Sequence, residues 1–151
     1  MIDLLPNEEL VYAGDSARYP YGARAHEEIR NFAEEISTYL VERCGVKLLV
    51  VACNSAASAA LELLRYRFDL PVVGVIEPGL RAASSVTRNG RVGLIGTTAT
   101  ISSGAYERAA SSMRLSCSLT SLPCPGFVEF VERGETDSGE LRTLAEELLL
   151  P

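Results

Sequence analysis

The stretch VVACNSAAS, residues 50–58, places a thiol, an amide and a hydroxyl side by side where an apolar run ends. Cys53 can move a proton or attack as a nucleophile, while Asn54 and Ser55 offer hydrogen-bond donors and acceptors. If residues 56–67 form a helix, the thiol lies at its start, where backbone N–H groups and the helix dipole stabilise a thiolate. The same N–H groups can hold a carboxylate or a phosphate. The stretch is therefore a candidate site for acid/base or nucleophilic chemistry on an anionic ligand.

A plainer interpretation of these residues stays open. A cysteine that merely ends a buried strand is the commoner case, and the spacing alone favours it for Cys53. Asn54 and Ser55 can cap a helix without binding any ligand. A thiol hydrolase or transferase that uses Cys53 is a further alternative.

The four cysteines and the single histidine bound the chemistry. Positions 44, 53, 117 and 124 show neither CxxC pairing nor the density of a disulfide scaffold. Cys44, Cys117 and Cys124 are predicted to be free thiols that act as small buried apolar side chains. His26 is expected on the exposed, charged face of a helix, so a Cys–His hydrolase is poorly supported. With so few ligands we expect no metal site.

Charge and hydropathy exclude further classes. The 151 residues carry 14 Lys and Arg against 20 Asp and Glu, a net charge of -6, which argues against a nucleic-acid partner. No apolar run approaches the roughly 20 residues of a membrane helix, and the N-terminus lacks a basic region followed by an apolar stretch. We expect a cytoplasmic protein with no membrane partner.

Short apolar runs alternate with longer amphipathic segments along the chain. Strands are predicted over 9–15, 46–53, 70–79, 91–97 and 115–122, and helices over 24–44, 56–67, 127–133 and 139–149. Residues 46–53 are almost wholly apolar, which indicates a parallel strand buried on both faces. Pro78 is expected to stop the third strand, and Asp137 with Glu140 to form a capping box. Alternation without hairpin signals predicts an α/β fold with a parallel sheet.

Polar or glycine-rich turns follow most of these strands. GDSARYPYG follows the first, CNSAAS the second and GTTAT the fourth, while IEPG ends the third. Because ligand sites of parallel sheets lie at the carboxyl ends of the strands, we expect these turns to converge. GxxGTxxT is not the GxGxxG of a dinucleotide loop, so that interpretation is weak.

Five motifs together carry a family resemblance. They are GDSARYPYG at 14–22, VVACNSAAS at 50–58, PVVGVIEPG at 71–79, VGLIGTTATISSGAY at 92–106 and PCPGFVEFVERG at 123–134. In order and spacing they resemble the glutamate racemases of the aspartate/glutamate racemase family. The resemblance implies a flavodoxin- or Rossmann-like parallel-sheet fold and an amino-acid racemase, an isomerase that needs no cofactor. It implies glutamate as the small-molecule substrate and D-glutamate for peptidoglycan, hence for the cell wall and cell shape.

The resemblance also implies roles for individual residues. Cys53 matches the first of two acid/base thiols. The family positions that hold the substrate are matched by Tyr21, Gly22, Asn54 and Ser55. Substrate binding is also expected to involve Thr97 and Thr100. Each has a structural alternative: a half-buried aromatic for Tyr21, a turn glycine with positive φ for Gly22, and capping hydroxyls for the threonines.

The departures from the family pattern lead to a second set of expectations. Residues 1–90 resemble a first α/β domain without its opening strand and DSGxGG turn, and residues 91–151 the start of a second, so the fold is expected to be incomplete. The family's other cysteine lies in a GCTH motif further downstream. One thiol is expected to support isotope exchange at most, and the alternative is a carboxylate-binding or interaction module. Uncovered sheet edges predict a homo-oligomer or self-association.

Overall fold

Helices and short strands alternate in the computed structural model, which describes residues 3–150. In chain order they are α1 (His26–Glu42), β1 (Leu49–Val51), α2 (Asn54–Arg67), β2 (Val72–Gly74), α3 (Ile76–Val86), β3 (Arg91–Gly96), α4 (Thr98–Ser102), α5 (Ala105–Ser112), β4 (Ser118–Pro123), α6 (Phe127–Glu132) and α7 (Gly139–Leu149). Across residues 3–150, no helix combines the length and apolar character needed to cross a membrane.

The strands form two separate parallel pairs. β1 pairs with β2, with Leu49 opposite Val72, and β3 pairs with β4, with Arg91 opposite Ser118. We call residues 26–86 the first sheet region and residues 91–149 the second sheet region. The predicted α/β fold with parallel strands is confirmed, and the proposed division into domains 1–90 and 91–151 stays a prediction.

The core lies between α1, α2 and the first sheet. Ile29 of α1 and Leu64 of α2 have no exposed surface, and Ala60 between the two helices is equally buried. The predicted stripe of α2 is confirmed because its apolar residues recur at helical spacing and face α1 and β2. Burial of a leucine of this kind contributes roughly 1.5–3 kcal/mol. The core therefore fixes the start of α2, where Cys53 lies.

Two strand predictions are wrong. Residues 9–15 form no strand within the described chain, because extended backbone becomes a strand only where a neighbour pairs with it. The strand over 46–53 shortens to β1, and it is buried on one face only. Side chains alternate across a sheet, so Leu49 faces the core whereas Val50 and its register partner Val73 are 39% and 42% exposed. The expected self-association, which such a face favours, stays a prediction.

The end of the third predicted strand and the N-terminal cap of the last predicted helix also differ from expectation. β2 ends at Gly74, and Pro78 lies in the first turn of α3, where the missing N–H of proline has no helical partner to lose. That helix was not predicted. The N-terminal cap of α7 is Ser138, whose hydroxyl accepts from the Leu141 N–H at 3.2 Å, while Asp137 pairs with Arg142 instead.

Candidate active site

A turn at Tyr21–Gly22 is fastened to the start of α4. The Gly22 carbonyl accepts a hydrogen bond from the Ala99 N–H at 3.1 Å. A Cβ at position 22 would lie 2.5 Å from Thr97 Cγ2, so the backbone can approach only without a side chain. Gly22 does not have positive φ, so the structural alternative of a turn glycine with positive φ is wrong. Close approach to Thr97 is the reason for glycine here.

Three hydroxyls form one cluster at the carboxyl ends of β1 and β3. Ser55 Oγ lies 3.1 Å from Thr97 Oγ1 and 3.3 Å from Thr100 Oγ1, and the two threonine hydroxyls are 3.1 Å apart. Ser55 and Thr100 are buried. Thr97 also caps α4 by accepting from the Thr100 N–H, so its capping alternative holds alongside the contact with Ser55. This hydroxyl cluster joins turns that are about forty residues apart in sequence, as their positions after the strands predict.

Cys53 lies at the N-cap of α2 with its side chain exposed. The interpretation of Cys53 as a buried strand-end cysteine is therefore wrong. Its carbonyl accepts from the Ala57 N–H at 2.8 Å, while its thiol makes no capping bond. An accessible sulfur at the positive end of a helix of 14 residues is suited to hold a negative charge.

The amide of Asn54 has one partner that the sequence did not reveal. Tyr106 of α5 donates its phenol hydrogen to Asn54 Oδ1 at 2.6 Å. Because this bond occupies the carbonyl oxygen, the exposed amide retains its N–H donors for another acceptor. The only signal in the sequence was that Tyr106 ends the GTTATISSGAY stretch.

Tyr21 is held through its phenol rather than directed to solvent. Its hydroxyl donates to Asp15 Oδ2 at 2.5 Å, and Arg18 Nε lies 2.6 Å from the same oxygen. Burial raises the pKa of Tyr21, and the hydrogen bond and negative charge of Asp15 raise it further. The charge of Arg18 works to lower this pKa, and the charge of Cys53 raises it slightly. Burial also works to raise the pKa of Asp15, but the Tyr21 bond and the Arg18 charge outweigh it and lower that pKa. Tyr21 is also a half-buried aromatic residue, so its structural alternative holds as well.

His26 is half-buried, and the expectation of an exposed histidine is wrong. Its Nε2 lies 2.6 Å from the Ala99 carbonyl, and since a carbonyl only accepts, this nitrogen carries the hydrogen. The sequence could not show that the start of α1 meets α4. A cleft of about 200 Å³ opens beside this contact, lined by Gly22, His26 and Ser102 among others but not by Cys53.

The other thiols lie apart from this arrangement. Cys44 follows α1 and is exposed, which contradicts its predicted burial, whereas Cys124 is 3% exposed as predicted and Cys117 is half-buried. Burial raises the pKa of the Cys124 thiol. Over residues 3–150, no three His, Cys, Asp or Glu side chains converge to hold a metal ion.

The fold and the residues at its strand ends can now be compared with known proteins. A solved glutamate racemase isoform from Bacillus anthracis superimposes with a TM-score of 0.90 at 41% identity, over 99% of this chain and 56% of that one. The Francisella tularensis glutamate racemase gives 0.88 at 31% identity, over 99% and 55%. This is an α/β protein of the glutamate racemase fold.

Sequence similarity leads to the same class. The Asp/Glu/Hydantoin racemase family matches residues 3–149, and the chain belongs to this family. The glutamate racemase of Acidothermus cellulolyticus is 50% identical over 151 residues, all of this chain and 57% of that protein. The chain spans about half the length of the curated relatives it matches.

Proposed function

We propose that this chain catalyses proton transfer at Cα of glutamate as a glutamate racemase, an amino-acid isomerase. The observation that carries the proposal is the exposed Cys53 thiol at the start of α2, next to the hydroxyl cluster, in a chain of this family. The relatives favour this over a mere carboxylate-binding or interaction module. The Francisella tularensis structure was solved with D-glutamate, which supports glutamate as the small-molecule substrate.

The chemistry follows from the donors at the strand ends. A Cys53 thiolate takes the Cα proton and becomes a thiol, and the electron pair of the broken C–H bond moves into the adjacent carboxylate. Donors that hold the substrate carboxylates are the Asn54 amide and the Ser55 hydroxyl, together with the N–H groups of Tyr21 and Gly22. Thr97 and Thr100 act through Ser55, whose hydroxyl they hold.

Inversion requires a second acid/base group, because the proton must return to the opposite face of Cα. Cys44 lies beyond the far end of α1, and the 17 residues of that helix place it on the order of 25 Å from the turn at Gly22. Cys124 is buried at the end of β4, and Cys117 precedes the start of β4, at the strand end opposite the candidate site. We therefore propose that Cys53 serves one face, and that the 151-residue chain by itself exchanges the Cα hydrogen without net inversion.

The test uses the purified chain in D₂O with L-glutamate and D-glutamate in separate reactions. Proton NMR measures deuterium entering Cα, and circular dichroism measures inversion. We expect deuterium exchange with one enantiomer in the wild type, its loss in Cys53→Ala, and no change in the control Cys44→Ala, which removes another exposed thiol. Exchange that persists in Cys53→Ala contradicts the role of Cys53. Net inversion that disappears in Cys53→Ala contradicts the one-thiol proposal.

We propose that D-glutamate, the product of racemisation, is used for peptidoglycan synthesis in the cytoplasm. A bacterial strain that needs added D-glutamate for growth provides the measurement, since rescue requires net inversion. The 151-residue chain is expected to leave that requirement unchanged. Rescue by this chain would show that it carries both acid/base groups.

A further inference from the structure

The loop that precedes α1 is organised around one carboxylate. Asp15 has a side chain only 10% exposed although it belongs to no helix or strand. Its Oδ2 accepts from the Tyr21 hydroxyl at 2.5 Å and faces Arg18 Nε at 2.6 Å, while its Oδ1 accepts from the Arg18 N–H at 3.3 Å. Charge-assisted hydrogen bonds are stronger than neutral ones, so Asp15 fixes the positions of Arg18 and Tyr21.

Arg18 ties this loop to α1. Its guanidinium lies 4.2 Å from the centre of the Phe32 ring, and its carbonyl accepts from Arg24 Nε at 2.8 Å. The Tyr21 ring also packs on Phe32, with 5.8 Å between ring centres. Asp15 therefore connects the phenol of Tyr21 to a helix of the core rather than to a free loop.

The backbone beyond the phenol belongs to the candidate site. Within the described residues, the N–H groups of Tyr21 and Gly22 donate to no protein acceptor, whereas both carbonyls accept, from Arg24 and Ala99 respectively. Gly22 is also in contact with Thr97 of the hydroxyl cluster. Two adjacent N–H groups, held from both sides and without partners, are suited to bind a carboxylate.

We propose that Asp15 is a positioning residue that sets the affinity for glutamate without touching it. This inference rests on the proposed function. By accepting the Tyr21 hydroxyl, Asp15 holds the Tyr21–Gly22 backbone at the distance from Thr97 that the substrate carboxylate requires. The phenol is used in this bond and is not a donor to substrate, so removing either end of the bond has the same consequence.

Kinetics of Cα deuterium exchange separate this role from general folding. Asp15→Ala is expected to raise KM about tenfold, the effect of one hydrogen bond to a charged group, with kcat within about twofold. Tyr21→Phe keeps the pair between Asp15 and Arg18 and is expected to raise KM similarly. Because both changes break the same bond between Tyr21 and Asp15, the double variant should match Asp15→Ala rather than multiply the two effects.

The matched control is Glu35→Ala, which removes the exposed outer partner of Arg18 and leaves Asp15 in place. Its KM is expected to stay within about twofold, as for most exposed ion pairs. Amide hydrogen exchange gives a readout independent of activity. Asp15→Ala should speed exchange at the N–H groups of Arg24 and Ala99, which bond the carbonyls of the turn, at least about fivefold more than Glu35→Ala.

The outcomes distinguish this inference from the function on which it rests. A wild-type chain that exchanges no Cα hydrogen overturns the proposed function. Wild-type exchange together with an unchanged KM in both Asp15→Ala and Tyr21→Phe overturns the positioning role alone. Multiplicative effects in the double variant, or amide exchange equal to that of Glu35→Ala, also overturn it.

Discussion

The two sheet regions have the same parallel architecture but very different interiors. In the first, α1 and α2 contain side chains with no exposed surface, among them Ile29 and Leu64. In the second, no residue of α5, α6 or α7 is buried, and β3 alternates between exposed and half-buried side chains. Stability in the described chain is therefore concentrated in residues 26–86.

In the second sheet region, the buried residues lie beside the candidate site instead. Its buried residues within 91–149 are Ala99, Thr100 and Cys124, all at or just after the carboxyl ends of β3 and β4. Ala99 packs into the core cluster of the first sheet region, and Thr100 bonds Ser55 of α2. The second region is thus held to the first where the polar turns meet, and also where half-buried residues of α5 pack on the buried cluster of Ala57, Ile76 and Leu80. In the rest of the second region, α6 and α7 contain no buried residue.

The largest expected effect comes from a substitution in the core of the first sheet region. Leu64→Ala removes a side chain with no exposed surface and should lower the free energy of unfolding by about 2–5 kcal/mol. Leu144→Ala, in a half-buried position of α7, should lower it by no more than about 1.5 kcal/mol. Urea unfolding followed by circular dichroism measures both. Equal losses would show that the second sheet region is as well packed as the first.

The next effect tests how the Tyr21–Gly22 turn, which precedes the first sheet region, is joined to the second. Gly22→Ala introduces a Cβ 2.5 Å from Thr97 Cγ2 and should lower the free energy of unfolding by about 1–3 kcal/mol. Part of the loss should return in Gly22→Ala/Thr97→Ser, because serine keeps the hydroxyl and lacks the methyl group. The same urea measurement applies.

Gly79→Ala is the control for that substitution. Gly79 lies in α3 with nothing within 4 Å of an added Cβ, so alanine there should stabilise the chain by about 0.5–1 kcal/mol. If Gly22→Ala behaves like Gly79→Ala, the contact with Thr97 does not fasten the Tyr21–Gly22 turn to the second sheet region.

The sequence predicted elements whose cause is local. The stripe of α2 and the apolar run of β3 are periodic within themselves, and both were found where expected. The strand over 9–15 was wrong because pairing depends on a distant partner. The helix that contains Pro78 in its first turn was missed because proline in a first turn resembles proline as a stop signal.

The candidate site likewise contains some contacts that the sequence predicted and others that it did not. The motifs brought Ser55, Thr97 and Thr100 together correctly, because strand ends of a parallel sheet converge by topology. The partners of Tyr21 and Asn54 could not be predicted. Asp15 and Tyr106 reach them only through the path of loops and the packing of α5, which no periodicity encodes.

A smaller effect is expected where the second sheet region supplies an orienting contact to the first. Tyr106→Phe removes the hydrogen bond to Asn54 Oδ1 and leaves the amide free to rotate. KM for Cα deuterium exchange should rise about fivefold, as expected for one neutral hydrogen bond, while the urea midpoint stays within error because Asn54 is exposed. Tyr66→Phe, at a side chain 91% exposed, is the control and should change neither quantity. A shifted midpoint with unchanged KM would make Tyr106 a packing residue only.

The smallest effect concerns the loop outside both sheet regions and depends on pH. Although burial opposes ionisation, the Tyr21 bond and Arg18 lower the pKa of Asp15 in the folded chain below its unfolded value of about 3.9. Its contribution is therefore fully present above about pH 4 and is lost as the pH falls through the folded pKa. Asp15→Asn lacks this titration, so the difference in urea midpoint between wild type and variant should be largest at neutral pH and shrink on acidification below about pH 4. A difference that grows with acidification would mean that the folded chain favours the protonated carboxyl, and that Asp15 does not anchor the loop to α1 as an anion.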